Sequence, residues 1–410
     1  MVIFLKTETQ DILYISESYA SFVKDSVEET SKYFKEVSVL VRSNPIAEIA
    51  NYIPINLLDP YKLSSKIDLI DKPSNISVCN TPILYGPLNS QYKKLGDKHL
   101  DSVEKAIKKL NINFDLIHSH NTWTSGYVGA KLKEKYHVPF VVTAHGQDIY
   151  DYPFRDAEWR EKIRYVLNSA DYIITVSNSN LSCIDKLNVT TPVKVLPNGY
   201  KTGLFYPITS DKCREKLNLP LDKKIILNVG WVEKVKGQQY LIDAVRDVIN
   251  ERKDIICIIV GSGELSNKLK SQVESSGLSN YFIFVGPKPH SEIPLWMNAC
   301  DFFVLPSLNE GNPTVMFECL GCGKPFIGTN VGGIPEIITS EDYGYLVEPA
   351  NSKDLAEKIV NALNKKWNYE KIALYGAQFT WEDITKEIVE IYEELFTKNI
   401  FTRYKYLIWE

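Results

Sequence analysis

Short runs of Val, Ile, Leu and Phe recur along the chain and alternate with longer stretches of helical periodicity. A first set of runs is Ile12–Ile15, Val37–Val41, Leu116–His118, Phe140–Thr143, Tyr172–Val176 and Val193–Leu196. A second set is Ile225–Val229, Ile255–Val260, Phe282–Val285, Phe302–Leu305 and Pro325–Gly328. The runs are nearly continuous rather than alternating, the pattern of strands buried on both faces, so each set predicts a parallel sheet covered by helices. The intervening segments Asp97–Leu110, Tyr240–Asn250 and Asp354–Leu363 place apolar residues at helical spacing with charged faces opposite. The expected fold is α/β, with two Rossmann-like doubly wound domains facing each other across a cleft.

A turn-rich stretch from Pro197–Asn198–Gly199 to Pro220 separates the two sets. The expected domains are 1–202 and 203–384. The remainder, 385–410, is expected to return to the first domain. Trp381–Phe396 reads as one amphipathic helix with Ile384, Ile388, Ile391, Tyr392 and Leu395 on one side. Ligands in such sheets bind beyond the carboxyl ends of the strands, which directs the search for chemistry there.

Composition narrows the class. The chain has 410 residues, 44% of them hydrophobic and 24% charged, which suits a globular protein of two or three domains. A net charge of -4 excludes a nucleic-acid binder relying on overall positive charge. The seven cysteines are scattered and odd in number, as in a cytosolic protein with reduced, packed thiols. Cys319 and Cys322 lack a second pair to complete a zinc site. The apolar start Met1–Leu5 is too short for a signal peptide, and no apolar run reaches the roughly 18 residues of a membrane helix. A cytoplasmic protein is expected, with peripheral contact at the inner face of a membrane left open.

The most informative segment runs from Pro306 to Glu318. A buried strand enters a turn and then a helix beginning near Pro313, a residue suited to a first helical turn. From Thr314 onward the helix start offers unpaired amides and the positive end of its dipole to an anion. Glu310 and Glu318 bracket that end, roughly 12 Å apart at a helical rise. That span fits two ends of one extended ligand better than a carboxylate pair acting on one bond. A capping Glu and a helix-surface Glu are the plainer alternative.

Two other regions carry weaker signals. In Asn228–Gly237, Lys234 and Lys236 lie between a strand end and a helix start, where a lysine can neutralise a phosphate or merely solvate a turn. In the first half, His118, His120 and His145 all fall at strand carboxyl ends. His118 reads as a structural histidine, and His145, before Gly146 and Asp148, as the one that meets substrate. A three-histidine zinc site competes but has neither an H-E-x-x-H helix nor clear carboxylate partners. Gly261–Ser262–Gly263–Glu264 falls short of a dinucleotide fingerprint, which disfavours a dehydrogenase. P-loop and nucleophile-elbow motifs are absent.

Taken in order, these segments resemble the retaining glycosyltransferases of family 4, which have the GT-B fold. The resemblance runs through His118–Ser119–His120, Thr143–Ala144–His145–Gly146, Val195–Leu196–Pro197–Asn198–Gly199 and Phe205–Tyr206–Pro207. It continues in Gly230, Lys236–Gly237, Gly261–Glu264, Pro289–His290 and Trp296–Met297. It is most specific in Pro306–Ser307, Glu310-x7-Glu318, Cys322–Pro325 and Val331–Glu336. Coverage is dense from about residue 115 to 395 and loose over the first 110. The resemblance implies transfer of a sugar from a nucleotide-sugar donor to a hydroxyl acceptor, with retention. Glu310 would contact the donor sugar and Glu318 the ribose. Lys236 would hold the diphosphate, with the backbone of Gly311, Asn312, Pro313 and Thr314 against sugar and phosphate. The Gly286–Lys288 turn would border the base, and His145 would reach the donor sugar near the reacting centre. No metal and no cofactor are implied, and no Asp-x-Asp motif occurs. The implied partners are the nucleotide sugar and a glycan or lipid-linked acceptor of surface polysaccharide, glycolipid or lipid-linked oligosaccharide synthesis.

Two positions depart from the family pattern. Trp231 stands where an arginine is frequent, with either Lys234 as the substitute or the backbone amides carrying more of the load. Ser18–Asp25 replaces a glycine-rich first loop, with Lys24 as the expected phosphate contact. A GT-B nucleotide-sugar 2-epimerase and a non-catalytic nucleotide-sugar-binding protein are the competing functions. Gln91–Leu110 carries a basic excess, with Val103, Ile107 and Leu110 at helical spacing. This helix could rest on an anionic membrane, although simple packing on its own sheet is the preferred reading.

Overall fold

The computed structural model describes residues 7–51, 61–86 and 89–408. The chain divides into two compact units, Met1–Pro197 with Trp381–Glu410, and Asn198–Thr380. The sequence boundaries at 202/203 and 384/385 therefore shift. Tyr200 bridges to Thr380 and its N–H donates to Phe379 O at 3.1 Å, fixing both residues in the second unit. Trp381 and Ile384 instead join the first unit's core.

The first unit is built on seven parallel strands in the order β3-β2-β1-β4-β5-β6-β7. They are β1 (Asp11–Ser16), β2 (Glu36–Ser43), β3 (Ile76–Pro82), β4 (Leu116–His120), β5 (Phe140–Ala144), β6 (Tyr172–Thr175) and β7 (Val193–Val195). In β1, Ile12 and Tyr14 enter one core while Leu13 and Ile15 enter the other. Alternation of side chains across a doubly covered sheet explains why the run is apolar at every position. The helix Trp381–Ile408 packs Ile384, Ile388, Ile391, Tyr392 and Leu395 against the β1 side. The helix Leu95–Leu110 buries Val103 and Ile107 on the opposite face, whereas Leu110 is half exposed.

The second unit has six parallel strands in the order β10-β9-β8-β11-β12-β13. These are β8 (Lys224–Val229), β9 (Ile255–Val260), β10 (Phe282–Gly286), β11 (Phe302–Leu305), β12 (Phe326–Thr329) and β13 (Gly344–Val347). Ile225, Leu227 and Val229 face one core and Ile226 the other. In each sheet the strand order reverses beside the first strand, at β1/β4 and β8/β11. Such a switch point opens a crevice at the carboxyl ends. Each unit has one strand more than the apolar runs indicate, β3 and β13, both at sheet edges. None of the seven cysteines forms a disulfide.

Candidate functional site

In the second unit three loops meet at the β8/β11 switch point. Leu308 N–H donates to Val235 O at 2.7 Å, Thr329 Oγ1 to Ser307 O at 2.6 Å, and Gly333 N–H to Gly311 O at 2.7 Å. Gly237 (φ +66) and Gly332 (φ +55) permit this approach. A Cβ on Gly237 would lie 2.0 Å from Pro306 O, and one on Gly332 would lie 1.9 Å from Glu310 O. Only glycine meets both the dihedral and the space.

Within this cluster Glu310 is buried, and its Oε1 accepts from Lys236 Nζ at 2.8 Å and Ser307 Oγ at 2.7 Å. Lys236 sits in the short turn Lys234–Lys236 after β8, with Lys234 exposed beside it. Burial raises the Glu233 carboxyl pKa; Lys236 opposes that shift, while Glu264 and Glu310 add to it. Lys236 thus lies near both Glu233 and Glu310, and Glu310 is the one bonded to it.

The helix that follows spans Thr314–Gly321, with Pro313 extended at its N-cap (φ -71, ψ 119). Thr314 is therefore the first helical residue. Asn312 is anchored from behind: Asn198 N–H donates to its Oδ1 at 3.0 Å, and Asn198 Nδ2 to its backbone O at 2.7 Å. Its own Nδ2 is buried without a partner. Further along the helix, buried Glu318 places Oε1 2.7 Å from His290 Nε2, and the His290 ring packs on Phe205 at 5.2 Å. The structure thus joins Lys236, Glu310, Gly311, Asn312, Pro313 and Thr314 in one cluster, with Glu318 on the same helix. Ser307 and His290 complete it. Both occur in the motifs Pro306–Ser307 and Pro289–His290, but no spacing reveals their carboxylate partners.

In the first unit, the histidines form a stack at the carboxyl ends of β4 and β5. His118 is fully satisfied, between Tyr392 OH at 2.6 Å and Thr143 Oγ1 at 2.7 Å. His120 Nδ1 lies 2.8 Å from His145 Nε2, with the two rings 5.1 Å apart and 13° from parallel. Phe22 packs edge-on against His145 at 5.1 Å. Burial holds the His118 and His145 imidazoles well below their usual pKa and pushes His120 down to about 4. All three are neutral at neutral pH. Asp148 shapes the turn after His145, accepting from Gly146 N–H at 2.9 Å and Thr122 N–H at 2.7 Å. Among the described residues no group of three or more His, Cys, Asp or Glu could hold a metal.

One expectation changes and one preferred reading holds. Lys24 is committed elsewhere, to Ile70 O at 2.6 Å and Asp68 at 3.0 Å, and is buried, so it does not replace the glycine-rich loop. The helix Leu95–Leu110 spends its apolar side on its own core, leaving only its basic side outward. No helix among the described residues is long and apolar enough to cross a membrane.

Two family models cover most of the chain. Glycosyl transferases group 1 matches residues 209–379, and Glycosyltransferase Family 4 matches residues 71–204. An uncharacterized glycosyltransferase of Methanocaldococcus jannaschii is 32% identical over 285 residues, covering 68% of this chain and 76% of its own. Among solved structures, sucrose-phosphate synthase of Thermosynechococcus elongatus superimposes with a TM-score of 0.77 at 23% identity, over 95% of this chain and 100% of its own. HepE of Anabaena, solved with UDP and glucose, gives 0.73 at 20% identity, over 94% and 100%. The two sheets are those of the GT-B fold, and the chain belongs to the group 1, family 4 glycosyltransferases.

Proposed function

We propose that the protein transfers a sugar from a nucleotide-sugar donor to a hydroxyl acceptor, with retention at the anomeric carbon. The observation that carries this reading is the pairing of Lys236 with Glu310 beside the amides that open the helix Thr314–Gly321. Cleavage of the donor bond builds negative charge on the leaving diphosphate. Lys236 and the fixed amide dipoles stabilise that charge without reorganising. Glu310 orients the donor-sugar hydroxyls, and it holds the Lys236 ammonium while doing so. Glu318, fixed by His290, receives the ribose hydroxyls. His145 serves the transfer step as a neutral imidazole.

The reading needs no metal, because Lys236 and the backbone supply the positive charge. Since HepE binds UDP, uridine nucleotides are the first donors to try. The acceptor class favoured is a glycan or lipid-linked glycan assembled on the cytoplasmic side of a membrane. Thermal shift with UDP-, GDP- and ADP-sugars tests the donor site, since ligands of the folded state raise its stability. NMR of the product then reads the anomeric configuration. Absence of any nucleotide-dependent shift would refute the donor site. An epimerised nucleotide sugar formed without acceptor would assign the chain to the isomerases.

A further inference from the structure

At the β1/β4 switch point of the first unit lies a second polar centre, apart from the histidine stack. Arg42, at the end of β2, is buried with its guanidinium 5.3 Å from the ring centre of Tyr92 and 5.8 Å from that of Tyr85. Its Nη1 donates to Thr124 Oγ1 at 3.1 Å, and its Nη2 pairs with Glu17, which follows β1. Its Nε is buried and has no partner. Lys66 is equally buried, and its Nζ donates to the backbone O of Arg42 at 3.2 Å. Among the described residues no carboxylate forms an ion pair with it. His99, against Thr124 Oγ1 at 2.7 Å, is held neutral by burial and by the charges of Arg42 and Lys66.

The charge balance is uneven. Among the described residues, one carboxylate pairs with either buried cation, Glu17 with Arg42, and it keeps a third of its side-chain surface in water. Burying an uncompensated cation is costly, and the cost shows in Lys66, whose pKa is lowered by burial to about 8. A planar guanidinium binds an oxyanion best through two adjacent N–H groups. Here Arg42 Nε has no hydrogen-bond partner, and its Nη2 is held by a partly exposed carboxylate able to turn outward. Tyr85, Tyr92 and Tyr152, each partly exposed, give an aromatic rim suited to a sugar ring.

We infer that Arg42 and Lys66 form a subsite for an anionic group of the acceptor, a phosphate monoester, with Glu17 as the group it displaces. Naming this the acceptor side rests on the transferase reading, but the anion site itself stands on the first unit alone. The phosphate can belong to a soluble phosphorylated acceptor or to a lipid headgroup.

The probe is inorganic phosphate, titrated by calorimetry into the full chain saturated with its nucleoside diphosphate, so that the donor site is occupied. Saturable binding is expected, weakened by about tenfold or more in Lys66→Met and Arg42→Lys. Glu17→Gln should bind phosphate more tightly, because it removes the competing carboxylate, and a merely structural ion pair would not have that effect. Glu17→Gln decides the matter if either cation variant fails to fold. No saturable phosphate binding, or affinity indifferent to Glu17→Gln, overturns the proposal. Lost nucleotide binding with phosphate binding intact would instead overturn the donor reading. Co-sedimentation with vesicles of phosphatidic acid in phosphatidylcholine, against phosphatidylcholine alone, separates the sources. Retention sensitive to Lys66→Met assigns a lipid phosphate, and phosphate binding without retention assigns a soluble one.

Discussion

Lys236 Nζ and Glu310 Oε1 stand 2.8 Å apart although 74 residues separate them in sequence. The pair spans two loops, so each residue fixes the other's place in the proposed donor site. Glu310→Ala should lower kcat/KM by at least about tenfold, or ~1.4 kcal/mol of transition-state stabilisation, in steady-state kinetics. Lys236→Ala should weaken nucleoside diphosphate binding, read by calorimetry. An unchanged affinity would remove Lys236 from the site.

Glu318 and His290 act as one unit. Glu318→Ala should weaken nucleotide binding chiefly in KM, and His290→Ala should reproduce part of that loss because the carboxylate loses its orienting partner. His290→Gln keeps a donor and should recover binding. Equal affinity in His290→Ala and the parent protein would show that the pair is structural only.

Gly332→Ala adds a methyl group 1.9 Å from Glu310 O at a left-handed backbone position. The loop must move, and the Glu310 carbonyl with it. The expected loss is at least ~1 kcal/mol of stability together with weaker donor binding. Thermal melting with and without nucleotide measures both.

Acid should destabilise the first unit in a defined window. His120 is lowered to about 4 by burial, and His99, His118 and His145 are lowered in the same sense. Unfolded histidine takes up its proton near pH 6.5, so below that value the unfolded chain binds more protons and stability falls with pH. For His120 the loss accumulates until about pH 4 and is on the order of 3 kcal/mol. Asp148, raised by burial, works with the opposite sign nearer the acid end. Melting curves from about pH 8 to pH 5 check the slope, which should flatten in His120→Asn.

Substituting His120 should also reach the transfer step. His120→Ala removes the hydrogen bond to His145 Nε2 and should lower kcat more than the donor KM. An unaltered kcat would mean that Phe22 and the turn built by Asp148 suffice to place His145.

The doubly buried strands were legible because their runs are apolar at every position, as in β9 and β11. The edge strands were not. In β3 the exposed positions Ser77, Asn80 and Pro82 break the run, and β13 is only Gly344–Val347. In the proposed site, the spacing of Glu310 and Glu318 suggests two ends of one extended ligand, whereas the place of Lys236 follows from the family resemblance. Ser307 and His290 found their roles only through tertiary contact. The place of Lys24 is hidden from the sequence for the same reason, since its carbonyl partner lies 46 residues away. The Arg42–Lys66 centre carries no local pattern, because its members come from separate strands and loops.

The bridge between Tyr200 and Thr380 places the two ends of the second unit side by side. That unit is a closed insertion within a split one. On the ribosome, every residue of the insertion has been made by Thr380, while the first unit still waits for Tyr392 to seal its histidines. Vectorial synthesis therefore lets the inserted unit mature first. The first unit gains the helix that begins at Trp381 only afterwards, so premature termination before Trp381 would spare one unit and leave the other unsealed.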